Sequence, residues 1–444
     1  MTARRIALGT TAAALAATVV LFGGLFSGSA AVGPAAPPTG AAASQLLAGF
    51  SPGDTARYVR DLEQRVARAP KDGESLLLLG LAYQQRVRET GDPSFYPRSE
   101  EALGRALALL DRRDPQERKF LAVTGRGALA ASRHRFSEAR DLAREAVRLS
   151  PQSASPYGVL ADALFELGRY KAGLRAVERM IELKPSLASY ARVSYTRELL
   201  GHPGAAIAAM RYAVEAGSTR AEHAAWTSVQ AGNLFFDTGR LARAARAYRQ
   251  AAARLPGYVH AQAGLARVAA ARGRYSAAVR LYRRTVATLP LPQYAIALGD
   301  TLRAAGRTVQ ARRAYALVDA IERVFRANGV RTELETALFD LDHGRRLRDA
   351  LAHARAAYRL APSITAEDVL AWALVRNGRC GEAELHARHA LRLGTKDALK
   401  TFHLGMAERC LGRHATARRR FARALAINPH FSLLWSPVAR RLAR

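Results

Sequence analysis

Residues 232–256 read GNLFFDTGRLARAARAYRQAAARLP, and the spacing within that stretch decides the fold. Small residues at Gly232 and Ala244 allow two antiparallel helices to approach closely. Gly239 falls between them, where a tight turn needs a positive φ that glycine adopts at no steric cost. Bulky Phe235 and Tyr248 are spaced to fill the interface, and Pro256 stops the second helix. Shifted by 34 residues, the same frame reads Ala266, Ala269, Gly273, Ala278, Tyr282, Thr285 and Pro290.

The frame recurs along the chain. It is met at Ala161, Leu164, Gly168, Gly173, Val177, Met180 and Pro185, and again at Gly127, Ala139, Ala143, Ala146 and Pro151. A last copy runs through Gly405, Gly412, Ala417, Phe421, Ala424 and Pro429. This pattern resembles the tetratricopeptide repeat, a helix–turn–helix unit that stacks into a solenoid. The resemblance implies an all-α fold, a right-handed superhelical solenoid of about ten antiparallel helix pairs. The array is expected over 73–430, with a capping helix in 54–72 and a capping segment in 431–444. Three irregularities interrupt the period: a connection over Gln84–Arg98, a lengthened joint at Glu215–Ala224, and a second helix overshooting through Asp319–Arg326.

The N-terminus has a different character. Arg4 and Arg5 precede an uncharged run from Ile6 to Phe26, followed by small residues up to Ala31. That is the build of a signal peptide, and the run is also about long enough to span a bilayer as an uncleaved anchor. Residues 1–31 are therefore read as signal peptide or signal anchor, and 32–53, rich in Ala, Pro and Gly, as a tether. No Lys or Arg follows Arg5 until Arg57, so the charge asymmetry keeps the N-terminus inside and sends the rest across. The expected location is extracytoplasmic, membrane-anchored or secreted after cleavage.

Composition agrees with a folded helical protein: 49% hydrophobic and 24% charged residues. The formal net charge is +31, and 62 of the 68 basic residues are arginine. Such an excess either attracts a polyanion or merely keeps long helices soluble.

Catalytic strings are absent in usable form. Gly49-Phe50-Ser51-Pro52-Gly53 spells a hydrolase elbow, but it lies in the tether and not between a strand and a helix. Asp340-Leu341-Asp342-His343-Gly344 lacks the remaining oxygens of a calcium loop. Glu382, His386 and His389 share one helical face, which reads as an exposed polar surface and not as a metal site. No enzyme activity, cofactor or metal is expected.

In tetratricopeptide proteins the first helices line the concave face, where partners bind. The resemblance thus nominates Asp162, Tyr195, Trp226, Asn233, Phe236, Arg267, Asp300, Arg303, Phe339, Asp342 and Trp372 as groove candidates, with Phe165, Glu198, Glu335 and Asp368 beside them. Some family members read a C-terminal carboxylate with a polar clamp. Asn233 and Arg267 fit fragments of it, but Val229 and Ala263 stand where polar groups would help. The arginines fall on second helices, at Arg243, Arg246, Arg249, Arg254, Arg280, Arg283, Arg284, Arg312, Arg313 and Arg418–Arg420 and Arg423, so the outer face is the basic one. A nucleic-acid groove would join basic residues to stacking aromatics, and here the two part company. The expectation is a non-catalytic scaffold with a protein or peptide in the groove and an anionic membrane or wall polymer at the convex face; the alternative is a polyanion or nucleic-acid binder using that convex face. Cys380 and Cys410 fall at adjacent turns on one edge, placed for a disulfide if the chain is exported to an oxidising compartment.

Overall fold

The computed structural model describes residues 55–110, 116–217 and 221–444. Residues 1–31, read as signal peptide or anchor, residues 32–53, read as a tether, and the Gly49–Gly53 string lie outside the described residues. Within them the chain forms 22 helices and no strands. Helix α1 (Thr55–Arg68) opens the array. The pairs that follow are α2 (Gly73–Thr90) with α3 (Phe95–Leu109), α4 (Gln116–Ser132) with α5 (Phe136–Leu149), and α6 (Ala154–Glu166) with α7 (Tyr170–Leu183). Next come α8 (Leu187–Leu199) with α9 (Pro203–Ala216), α10 (Ala221–Asp237) with α11 (Leu241–Arg254), and α12 (Val259–Ala271) with α13 (Tyr275–Thr288). The last four are α14 (Pro292–Ala304) with α15 (Thr308–Ala327), α16 (Glu333–His343) with α17 (Leu347–Leu360), α18 (Ile364–Arg376) with α19 (Cys380–Ala390), and α20 (Ala398–Cys410) with α21 (His414–Ile427). Helix α22 (Trp435–Leu442) closes a right-handed superhelix of ten units.

The repeat frame acts as its residue types require. Tyr248 is fully buried, and a Cβ on Gly232 or Gly264 would lie 2.5 Å or 2.4 Å from its ring. One aromatic ring therefore sits between two glycines on neighbouring first helices, an arrangement no larger residue permits. Phe235 and Phe236 exchange the roles their spacing suggests: Phe236 is buried and Phe235 only half-buried. The expected connection over Gln84–Arg98 is shorter than its Gly and Pro content implies. Helix α2 runs on to Thr90, and α3 has already begun at Phe95. The overshoot near Asp319–Arg326 is the end of α15, which has 20 residues where other second helices have about 14.

Each first helix packs on its own second helix and also touches the first helix of the next unit; second helices make no comparable contact with one another. The first helices thus form a continuous inner layer. The step from α14 to α16 is the loosest of these: the long α15 lies beside it, and the two first helices meet through Asp300 and His343.

Successive coils of the superhelix touch. The turns inside units two, three and four dock on the loops that precede units eight, nine and ten, and the turn of unit five docks on the loop that follows unit ten. Hydrogen bonds across the contact recur at separations of 192 to 198 residues. Arg133 Nε donates to the Gly329 carbonyl at 3.3 Å, and His134 Nδ1 lies 2.6 Å from the Arg331 carbonyl. The Tyr170 hydroxyl accepts the Ile364 N–H at 2.7 Å. Thr395 donates to the Leu199 carbonyl at 2.5 Å, and Asn428 Nδ2 to the Phe236 carbonyl at 3.1 Å. A Cβ on Gly201 would stand 2.1 Å from the Gly394 carbonyl oxygen. At the front, Gly91 abuts Leu289 and Leu291. These contacts form a seam that joins one coil to the next.

Candidate functional site: the inner face of the superhelix

The eleven groove candidates divide by exposure. Asp162, Trp226, Phe236, Arg267, Phe339 and Trp372 are buried. Tyr195, Asn233, Asp300 and Asp342 are half-buried, and Arg303 is exposed. The frame put all eleven on the surface of the groove; the structure puts the first six beneath it. The reason is the contact between neighbouring first helices, which takes up the same helical face.

Those contacts form a ladder. Asp162 pairs with Arg192, 30 residues on, at 3.0 Å, and both side chains are 2% exposed. Arg267 bonds Asp237 at 2.8 Å, again 30 residues apart, and lies 3.7 Å over the Phe236 ring. Asp342 accepts the Trp372 indole N–H at 3.0 Å with the same separation. Asp300 accepts from Tyr315 and from His343 Nε2, each at 2.8 Å, and Phe339 packs against both of those rings. The clamp fragments are likewise engaged inside the fold: Asn233 accepts from Tyr248 at 2.7 Å, and Arg267 is held by Asp237.

Of the other carboxylates on this face, Glu198 and Glu166 have no basic side chain at ion-pair distance, and Glu335 has only the His134 imidazole, at 3.6 Å. Glu198 lines a cavity of about 30 Å³ with Tyr195, Asp237, Asp397 and Lys400. Burial pushes its carboxyl up to about 8, with Asp237 and Asp397 adding to the effect. Glu166 and Glu335 line a second cavity of about 50 Å³, and burial raises them to about 7 and about 8. Nothing in the sequence marked Glu166, because its isolation is made by the neighbouring coil.

At the C-terminal end of the face the chain folds onto itself. The Trp435 indole N–H donates to the same Asp342 oxygen as Trp372, at 2.9 Å. Its ring meets Trp372 edge-on at 5.2 Å and stacks on Phe402 at 5.7 Å. The Arg376 guanidinium lies within 6 Å of both tryptophan rings, at 5.3 Å and 5.9 Å. Asp368 is buried alongside, bonded to His403 Nδ1 at 3.0 Å.

The outer surface is of opposite character. Arg243, Arg246, Arg249, Arg254, Arg280, Arg283, Arg284, Arg312, Arg313, Arg418, Arg419 and Arg423 are exposed, and Arg420 is half-buried against Glu408. His386 and His389 both turn to Glu367, at 3.0 Å and 2.5 Å, and Glu382 pairs with Arg379. No group of His, Cys, Asp and Glu among the described residues is arranged to hold a metal ion. No helix among them is long and apolar enough to cross a membrane. Cys380 and Cys410 are joined by a disulfide, their Cα atoms 5.5 Å apart.

Two tetratricopeptide-repeat family models match the chain, over residues 125–188 and 235–300. No curated protein matches it. Among solved structures, the APC/C hetero-tetramer Cut9–Hcn1 is 14% identical with a TM-score of 0.37, over 91% of this chain and 99% of that one. Two crystal structures of MamA are each 20% identical with a TM-score of 0.30. They match over 37% and 38% of this chain and 95% and 92% of their own. Ten helix pairs built on one recurring frame, with family matches in both halves, make this chain a tetratricopeptide-repeat protein.

Proposed function

We propose that this protein is a non-catalytic scaffold of the cell envelope that binds a peptide or protein segment along its inner face. Tetratricopeptide repeats in general mediate protein–protein interaction. The observation that carries the reading is the separation of charge. In a chain of net charge +31, the inner face holds carboxylates without ion-pair partners while the outer second helices carry the exposed arginines. Opposed surfaces of this kind suit a specific ligand inside and a diffuse anionic surface, membrane or wall polymer, outside. The targeting segment and the disulfide favour an extracytoplasmic site, with the array anchored or released after cleavage.

Photo-crosslinkers at Arg303 and Asn233 test the inner face, and one at Arg246 serves as the outer control. Discrete protein adducts from the inner positions in intact cells are expected. Adducts only from Arg246, or capture of nucleic acid there, would favour the polyanion reading instead. A C-terminal reporter active only outside the cytoplasm is expected to be active, and a cytoplasmic signal refutes export.

A further inference from the structure

We propose that Trp435 is a latch: the chain's own C-terminal segment fills an indole-binding site in the inner face, and a partner segment bearing a tryptophan displaces it. The inference rests on the inner-face reading above.

The site is built from three successive first helices. Asp342 comes from α16, Trp372 from α18 and Phe402 from α20, so the site exists only once these units have stacked. Trp435 reaches it from beyond the last unit, 93 residues from Asp342. A helix serving only to cover the end of a solenoid needs to reach no further than the unit it covers. This one crosses two units to place its indole N–H on a carboxylate.

The contacts specify the ligand. Asp342 supplies an acceptor for an indole N–H, which phenylalanine cannot satisfy. Phe402 offers a ring face, Trp372 an edge, and Arg376 a cation over the indole. The Trp372 side of Asp342 is already paired within the fold, so the second indole adds to a preformed site. Trp435 itself remains partly exposed, so the latch is accessible to competition.

The test uses the full chain and a fluorescein-labelled synthetic peptide of residues 431–444. In the wild-type chain the tethered segment competes at an effective concentration on the order of millimolar, so little peptide binds. Trp435→Ala is expected to bind the peptide at least about tenfold more tightly than wild type, and a peptide with alanine in place of its tryptophan is expected to bind neither. Equal peptide binding by both chains overturns the proposal, as does tight binding of the alanine peptide. If Trp435→Ala loses helical signal, Trp435→Phe takes its place: it keeps the stacking but not the N–H, and should bind the peptide more tightly than wild type. No gain there refutes the latch. Failure of the latch alone leaves the cross-links from Arg303 intact, whereas failure of the inner-face reading abolishes those cross-links whether or not the peptide binds.

Discussion

Asp162 and Arg192 show how an inner-face candidate became a structural part. Both side chains are almost wholly enclosed, and the guanidinium also donates to the Ala188 carbonyl at 3.1 Å. Removing one member leaves the other charge buried without a partner, the expensive way to break such a pair. Asp162→Ala is expected to lower stability by about 3–5 kcal/mol in urea unfolding, and Asp162→Leu with Arg192→Met to recover most of that loss. Glu198 behaves differently, because no cation holds its charge. Its folded pKa, about 8, lies above the ordinary carboxyl value of 4.5. The folded chain therefore binds more protons than the unfolded one between those values, and this contribution to stability is lost as pH rises from about 5 to 8. Glu198→Gln should flatten that slope and stabilise the protein at pH 8 by about 1–2 kcal/mol, measured as a pH series of melting curves. The acidic, half-buried nature of Glu198 was legible in the sequence. Its lack of a counter-ion was not, since Asp237 and Asp397 come from other units.

At the level of helices, the repeat frame made most of the fold legible. Glycines beside Tyr248, turn glycines such as Gly239, and closing prolines such as Pro256 are local requirements, and each can be seen in a window of one unit. The extent of α2 was not legible, because Gly91 and Pro93 look like a long connection although a helix cap at Gly91 needs only that glycine. The inner-face residues were half legible. The frame identifies which helical face looks inward, but not how much of it the next first helix covers. The disulfide between the start of α19 and the end of α20 ties two units together across a separation of 30 residues. Replacing Cys380 and Cys410 by serine is expected to cost about 3–4 kcal/mol by loop entropy. The loss should show as earlier unfolding of the last two units in hydrogen exchange, with the front of the array unchanged.

For the whole molecule, the seam between coils is the feature no window of sequence contains. Pitch accumulates from small rotations at every unit, so hydrogen bonds 192 to 198 residues apart carry no local signature. Two glycines separate the seam from ordinary turn geometry. Gly201 and Gly273 have φ values of 77° and 72°, but only Gly201 faces another coil, while nothing lies within 4 Å of the Cβ position of Gly273. Gly273→Ala should cost about 1–2 kcal/mol for the left-handed backbone alone and leave the radius of gyration unchanged. Gly201→Ala should carry the same cost and also part the coils, seen as a larger radius in X-ray scattering. Equal radii for the two variants would show that the seam does not hold the pitch.

The seam also sets how the protein answers a pull. An open solenoid stretches like a soft spring, giving a little at every joint. A coil fastened to itself behaves as a closed one, keeping its length until the bonds across Tyr170, Thr395 and Asn428 give way and then lengthening abruptly. For a protein held at one end, that means tension from a load at the other end is met first with stiffness and only afterwards with extension.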